Sequence, residues 1–546
     1  MATRCAQWRR RAAQLLVLMP ACLFPVACGG SPHANGKPQP LTYYLSPSGN
    51  DAAAGTSPAD AWRSLGRASH ASLKPGTRLL LRGGSEFTGQ LTLNERDAGN
   101  AARPVVIGSY GSGVATIASK GSAIDVYDTA GIDIGDLNLI GRPSSGAAAV
   151  GLTVYNDLPA GRRLNHVVVR NITVVGFANG VAFGGKNSGA GFGDVTVSNC
   201  VLDGNVNDGL ITYGPEFNPG HPTYANQDVD VSHVIAARNS GDPHSAVGNT
   251  GNGIVLGSVR DGTIAWSTAD NNGSDSVATE GPEGIWAYDS TRIVMERNLS
   301  FENRTNNRVD GNGFGLDQNT SDSVMQDNLS YDNDGTGFLV YSAQENSAQT
   351  HNIVRYNISS GNSQDGNSHY GGISVLGTVA DAAVYQNTVV MAGSPALRLG
   401  LTVNHILVRN NIFVADHGPV VAAAGALRPA MAELQGNDYF SAVGPWAVTW
   451  GPESYDSLSA WRAISTEEMV AGRPSGFAVD PRLTGPVLNL QDKMAGRGSA
   501  GDRFILRLGS PLLGAGLNLA RLGMNPRPTN FAGKAESLQH PNVGAQ

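Results

Sequence analysis

The sequence predicts an all-β chain: a right-handed parallel β-helix, a solenoid closed by an N-terminal and a C-terminal cap. Three observations carry that expectation. A short β-rich run, an Asn or other small polar residue and a second short run return at Asn171, Asn199, His233, Ser267, Asn298, Asn328, Asn357, Asn387 and Asn410. The steps between them are 28, 34, 34, 31, 30, 29, 30 and 23 residues, too regular for accident and too short for separate domains. Each copy alternates β-branched or aliphatic residues and shows no helical period, so its strands bury an inner face only by stacking on the next copy. The Asn sits between two apolar runs at a fixed phase, where successive copies can satisfy buried backbone groups and one another.

Of the 546 residues, 70 are Gly and 15% are charged, which suits tight turns and stacked coils. The length exceeds that of an ordinary single domain because a solenoid grows along one axis. Residues 1–27 read as a secretory signal, with Arg4, Arg9, Arg10 and Arg11 ahead of the apolar LLVLMPACLFPVA. That apolar stretch is too short to span a membrane. Around Cys28 the segment FPVACGGS resembles a bacterial lipoprotein signal, departing from it at Pro25, where Leu is usual. The resemblance implies acylation of Cys28 and a membrane-anchored outer-membrane lipoprotein, with ordinary secretion as the alternative. Losing the four arginines of the signal takes the formal net charge from −7 to −11, which argues against nucleic acid as a partner. A monomer is expected. Cys200, inside an apolar run, reads as core filling.

Residues 28–40 form a Gly- and Pro-containing tether. Residues 41–140 are expected to hold the N-terminal cap, with a short helix, and the opening coils. The repeat core is expected over 141–424 and a C-terminal cap over 425–546, with one helix from Ser457 to Met469.

Coils longer than the 23-residue step carry inserts, at 213–226, 242–250, 274–282, 304–312, 343–350 and 363–370. They are read as standing at one phase and walling a groove suited to a linear polymer. The strands bordering that face align on a leading Gly: GIVLG from Gly253, GIWAYD from Gly284, GFGLDQ from Gly313, GFLVYS from Gly337 and GISVLG from Gly372. Alternation turns Ile285, Phe314, Phe338 and Ile373 inward and leaves an outward column of Gly257, Tyr288, Asp317, Tyr341 and Leu376. Asp317 is therefore expected mid-strand between two tyrosines. Trp286 and Leu339 flank Gly315, whose missing side chain leaves a hollow beside it.

Asp310 and Asp317, on the rim and floor of one coil, can face a single glycosidic bond, as acid and base chemistry requires. Glu280, Glu283 and Asp289 crowd further acids nearby, which pushes pKa values apart. Trp286, Tyr288 and Tyr341 are candidate sugar-stacking groups or ordinary surface aromatics. Asp334 is the equivalent of Asp310 in the next coil and either binds substrate or caps a turn. Arg308 and Arg355 either pair with the acids or hold a uronate carboxylate or a sugar hydroxyl. His351 and His369 are candidate acid/base groups in inserts.

The motifs GIWAYDS, DGNGFGLD, DSVMQDN and SYDNDGTGFLV resemble those of secreted bacterial right-handed β-helix repeat proteins with the pectin-lyase-like fold. That resemblance implies a carbohydrate-active protein acting on a polysaccharide or oligosaccharide. Glycosidases of the lacto-N-biosidase type are similar in using two Asp residues of one coil, which implies Asp310 and Asp317 here. The expectation is a glycoside hydrolase needing no cofactor, with Asp317 as nucleophile or base and Asp310 as acid. A polysaccharide lyase or uronate epimerase is the first alternative. It would pair calcium with an arginine base, Arg308 or Arg355, because no Lys lies between Lys186 and Lys493. Asp242-Pro243-His244 spells a motif that resembles one of mannuronan epimerases. The second alternative is a non-catalytic glycan binder or adhesin.

Overall fold

The structure, a computed structural model, describes residues 41–142, 148–343, 347–366, 369–485 and 502–546. The signal at 1–27, the tether at 28–40 and Cys28 lie outside the described residues. From Thr42 the chain winds as a right-handed parallel β-helix built from a 25-stranded sheet and a 14-stranded sheet. A full coil gives two strands to the larger sheet and one to the smaller, as in Thr291–Glu296, Leu299–Phe301 and Asn312–Leu316. Ile254, Ile285, Phe314, Phe338, Ile373 and Leu397 stand in register across the smaller sheet. All are fully buried, and the Phe314 and Phe338 rings stack at 5.0 Å.

Two asparagine ladders run inside the stack. In the first, Asn298, Asn328, Asn357, Asn387 and Asn411 each donate through Nδ2 to Oδ1 of the next, ending on Asn437, at 2.8 to 3.1 Å. Asn171, Asn199, His233 and Asn410 are not in this column. They stand one residue earlier, at a corner with φ of 53 to 54°, so the ladder places there belong to Ile172, Cys200, Val234 and Asn411. Left-handed corners and buried ladders both favour Asn, and adjacent positions serving the two needs look alike in sequence. The second ladder, Asn205, Asn239, Asn272, Asn303, Asn333 and Asn362, repeats the same bonds at 2.8 to 3.0 Å.

Cys200 is buried in the core cluster as expected, and burial pushes its thiol up to about 11. Cys200 is therefore expected to react with Ellman's reagent only on unfolding, as peptide mapping of the labelled site would show. Fast labelling of the folded chain would contradict this placement.

At the N-terminal end Thr42–Leu45 already pairs in parallel with Arg78–Arg82. The Tyr43 ring stacks on Trp62 at 4.4 Å, and the helix Leu65–Ser69 is capped by Ser64. At the other end the coils continue past 424 through Ala432–Gln435, Asp438–Ser441 and Val448–Trp450. Glu468 then ends the first ladder, accepting from Asn437 Nδ2 at 2.8 Å. The helix spans Leu458–Ser465, shorter than expected because Thr466 turns left-handed at φ 62°. Residues 502–546 lie along the flank of the β-helix, where Leu512, Phe531, Val543 and Ala545 bury Leu329, Ile358, Val390 and Ile412.

Candidate active site

The inserts at 242–250, 274–282, 304–312 and 363–370 precede strands of the smaller sheet, whereas those at 213–226 and 343–350 follow such strands. They thus stand at two phases, not one, to either side of that sheet's outer face. Among them lies a cleft of about 750 Å³ lined by Glu280, Trp286, Tyr288, Asp289, Arg308, Asp310, Asp317, Gln318, Tyr341, His369 and Tyr370, among others. Nine candidates singled out in the sequence meet there: Glu280, Trp286, Tyr288, Asp289, Arg308, Asp310, Asp317, Tyr341 and His369.

Asp317 is the first residue after the strand Asn312–Leu316, not mid-strand. Its N–H still donates to Ala287 O at 2.8 Å, and its carboxylate accepts from Gln318 N–H at 2.7 Å. Burial pushes its pKa up to about 8, with the charges of Asp310, Glu280 and Asp289 adding to the rise. Asp310 sits at a left-handed corner with φ 55°. It accepts from Tyr370 Oη at 2.9 Å and from Asn312 Nδ2 at 2.9 Å. Burial raises it to about 6, and these two donors hold it lower than Asp317.

The third carboxyl is Glu283. A side chain at Gly315 would collide with its Oε2, so the hollow expected beside Asp317 is filled by this acid. Asn312 Nδ2 donates to Glu283 Oε1 at 3.1 Å as well as to Asp310, bridging the two. Glu283 Oε2 has no hydrogen-bond partner among the described residues. Burial first, then the charges of Asp310 and Asp317, drives its pKa well above the usual carboxylate range. Glu283 was legible as one of several acids, but its place beneath the cleft depends on Gly315 in the next coil.

Trp286 is nearly buried; its Nε1 donates to Asn252 Oδ1 at 3.1 Å and its ring lies 5.2 Å from Tyr288. Tyr370 and Gln318 went unrecognised in sequence. Tyr370 comes from the 363–370 insert, sixty residues beyond Asp310. Gln318 Oε1 is buried and has no partner among the described residues, which leaves an acceptor for a ligand hydroxyl.

Three candidates lie elsewhere; of these His351 is exposed, with its Nδ1 3.1 Å from Thr350 Oγ1. Arg355 belongs to the larger sheet, where it donates to Gln326 Oε1 at 2.7 Å, Tyr385 Oη at 3.0 Å and Asn525 O at 2.7 Å; it fastens the C-terminal segment to the flank. Asp334 pairs with Arg304 at 3.2 Å and accepts from Thr305 N–H at 3.1 Å, a turn-stabilising role. Arg355→Ala is accordingly expected to lower the melting temperature; an unchanged melting curve would contradict this. Asp242-Pro243-His244 forms an exposed turn in which Asp242 accepts from His244 N–H at 2.9 Å.

The chain is a right-handed parallel β-helix repeat protein. Residues 245–427 match the family model described as periplasmic copper-binding protein (NosD). The chain is 38% identical to lacto-N-biosidase of Bifidobacterium longum subsp. longum over 115 residues, 20% of this chain and 7% of that protein. It is 28% identical to mannuronan C5-epimerase AlgE3 of Azotobacter vinelandii over 252 residues, 43% of this chain and 12% of that one. Each match therefore spans a small part of the relative's length. Among solved structures, GH136 lacto-N-biosidase from Eubacterium ramulus superposes with a TM-score of 0.51 at 17% identity, covering 75% of this chain and 68% of that one. It is similar in fold. Copper favours thiolate, thioether and imidazole ligands. The matched segment contains no Cys, and among the described residues no group of three or more His, Cys, Asp or Glu side chains is placed to hold a metal.

Proposed function

We propose that this protein is an exported glycoside hydrolase acting on an uncharged glycan. The observation that carries the reading is one cleft holding two carboxyls with unequal proton affinity, Asp310 near 6 and Asp317 near 8. Such a pair supplies one ionised and one protonated group at neutral pH, as glycosidic bond cleavage needs. The order favours the reverse of the division expected from sequence. Asp310, held by Tyr370 and Asn312, serves as base or nucleophile, and Asp317 as the acid that protonates the leaving oxygen. Glu283, neutral beneath them, keeps negative charge from accumulating. Tyr288 and Tyr341 offer ring faces and Gln318 an acceptor to the sugar. The lacto-N-biosidase matches support a glycosidase.

A lyase or epimerase would require a uronate in a cleft whose described lining carries Glu280, Asp289, Asp310 and Asp317 against Arg308 and His369. It would also need calcium to acidify the carbon next to the uronate carboxyl. Incubation with neutral glycans, lacto-N-biose-terminated oligosaccharides, alginate and polygalacturonate tests the reading. New reducing ends without ultraviolet absorbance are expected. An unsaturated uronate product that vanishes with chelator would establish a lyase, and binding with no turnover across the panel an adhesin.

A further inference from the structure

Outside the cleft, the outward column that holds Asp317 continues toward the N-terminal end of the coil stack as a line of tyrosines. Strand register places Tyr127 beside Tyr155, Tyr155 beside Gly184, Gly184 beside Tyr213, and Gly257 beside Tyr288. The Tyr127 and Tyr155 rings lie 5.8 Å apart at 36°, and the Tyr155 and Tyr213 rings 6.3 Å apart at 32°. The two glycines matter. A Cβ at Gly184 would collide with the Tyr213 ring and one at Gly257 with the Tyr288 ring, so each ring lies over the bare backbone of the preceding coil. Tyr127 is 39% exposed, and Tyr155 and Tyr213 are part-exposed. From Tyr127 to Asp317 the column crosses six strand spacings, roughly 29 Å at about 4.8 Å each.

We propose that Tyr127, Tyr155 and Tyr213 form a binding track for the body of an uncharged glycan chain whose scissile linkage lies in the cleft; this rests on the reading of the cleft as a glycan site. Sugar rings present apolar faces at regular intervals, and a row of tyrosines along a sheet matches that pattern. Asp125, Asp157 and Thr153 flank the rings and offer hydroxyl partners: Asp125 accepts from Gln90 Nε2 and Asp157 from Tyr127 Oη. With Asp128 they make this surface acidic, with Lys186 as the nearby cation, which disfavours a polyuronate. The track is one-sided. Beyond Tyr341 the column passes to Leu376 and has no further tyrosine, so the cleft stands near one end of the bound chain and releases short products from it.

Electrophoretic retardation in gels containing soluble galactan, xylan, β-glucan or galactomannan tests this, with alginate and polygalacturonate as charged controls. A neutral polymer should retard the parent chain. Tyr127→Ala with Tyr155→Ala should raise the apparent Kd about tenfold, the loss of two stacking rings, whereas Tyr127→Phe with Tyr155→Phe should stay within about twofold. Melting curves would show that the alanine variant remains folded. Equal retardation of the parent and alanine variants, retardation by the charged polymers alone, or no retardation by any neutral polymer would overturn the track. Tyrosine-dependent retardation without cleavage of any polymer would support the track and refute the hydrolase reading.

Discussion

Asp310→Asn and Asp317→Asn are each expected to lower kcat/KM on a cleaved glycan by about a thousandfold with little change in fold. Asn keeps the shape and accepts a hydrogen bond but neither takes up nor gives the proton. In the parent chain activity should rise as pH passes about 6, where Asp310 ionises, and fall as pH passes about 8, where Asp317 loses its proton. The sign follows from the roles: the base must be charged and the acid neutral. In Asp310→Asn the residual activity should lose the acid-side limb, and in Asp317→Asn the alkaline-side limb. Either variant retaining full activity would remove that residue from the mechanism, and loss of the opposite limbs would restore the division of labour expected from sequence. Glu283→Gln is expected to cost far less than either, because Glu283 is already held neutral by burial and by its acidic neighbours.

Asn328→Ala is expected to destabilise the fold by about 3 kcal/mol. Asn328 donates to Met295 O at 2.8 Å and Asn357 Oδ1 at 3.1 Å, and accepts from Asn298 N–H at 2.9 Å and Asn298 Nδ2 at 3.1 Å. Alanine supplies none of these, and water cannot replace them at a fully buried position. Urea midpoints should separate this variant from Asn306→Ala, at an exposed insert position, which should barely move. Equal midpoints for the two would mean that the ladder contributes nothing.

The β-helix was legible because its signal is redundant. Short alternating runs repeated beside a polar residue have no other way to bury themselves, and each coil repeats the evidence. The phase was less so: Asn199 and Asn298 occupy adjacent, different places in their coils, because a left-handed corner and a buried ladder select the same side chain. The cleft was half legible. Asp317 and its tyrosine neighbours follow from alternation within aligned strands. Arg355 looked equivalent to Arg308 in sequence, yet it lies on another sheet beneath the C-terminal segment, a placement that no local pattern encodes.

The sequence by itself determined the right-handed solenoid, the inward column from Ile285 to Ile373 and the outward column that carries Asp317, since those depend on periods of two residues and of one coil. Only the tertiary structure decided what stands beside what across coils and inserts. Tyr370 reaches Asp310 from sixty residues away, Glu283 fills the space Gly315 leaves open, and the tail covers the flank. Proton affinity at the cleft depends on burial and on neighbouring charges. Both are properties of the packed coils, and they arise only when separate stretches of chain exclude water together.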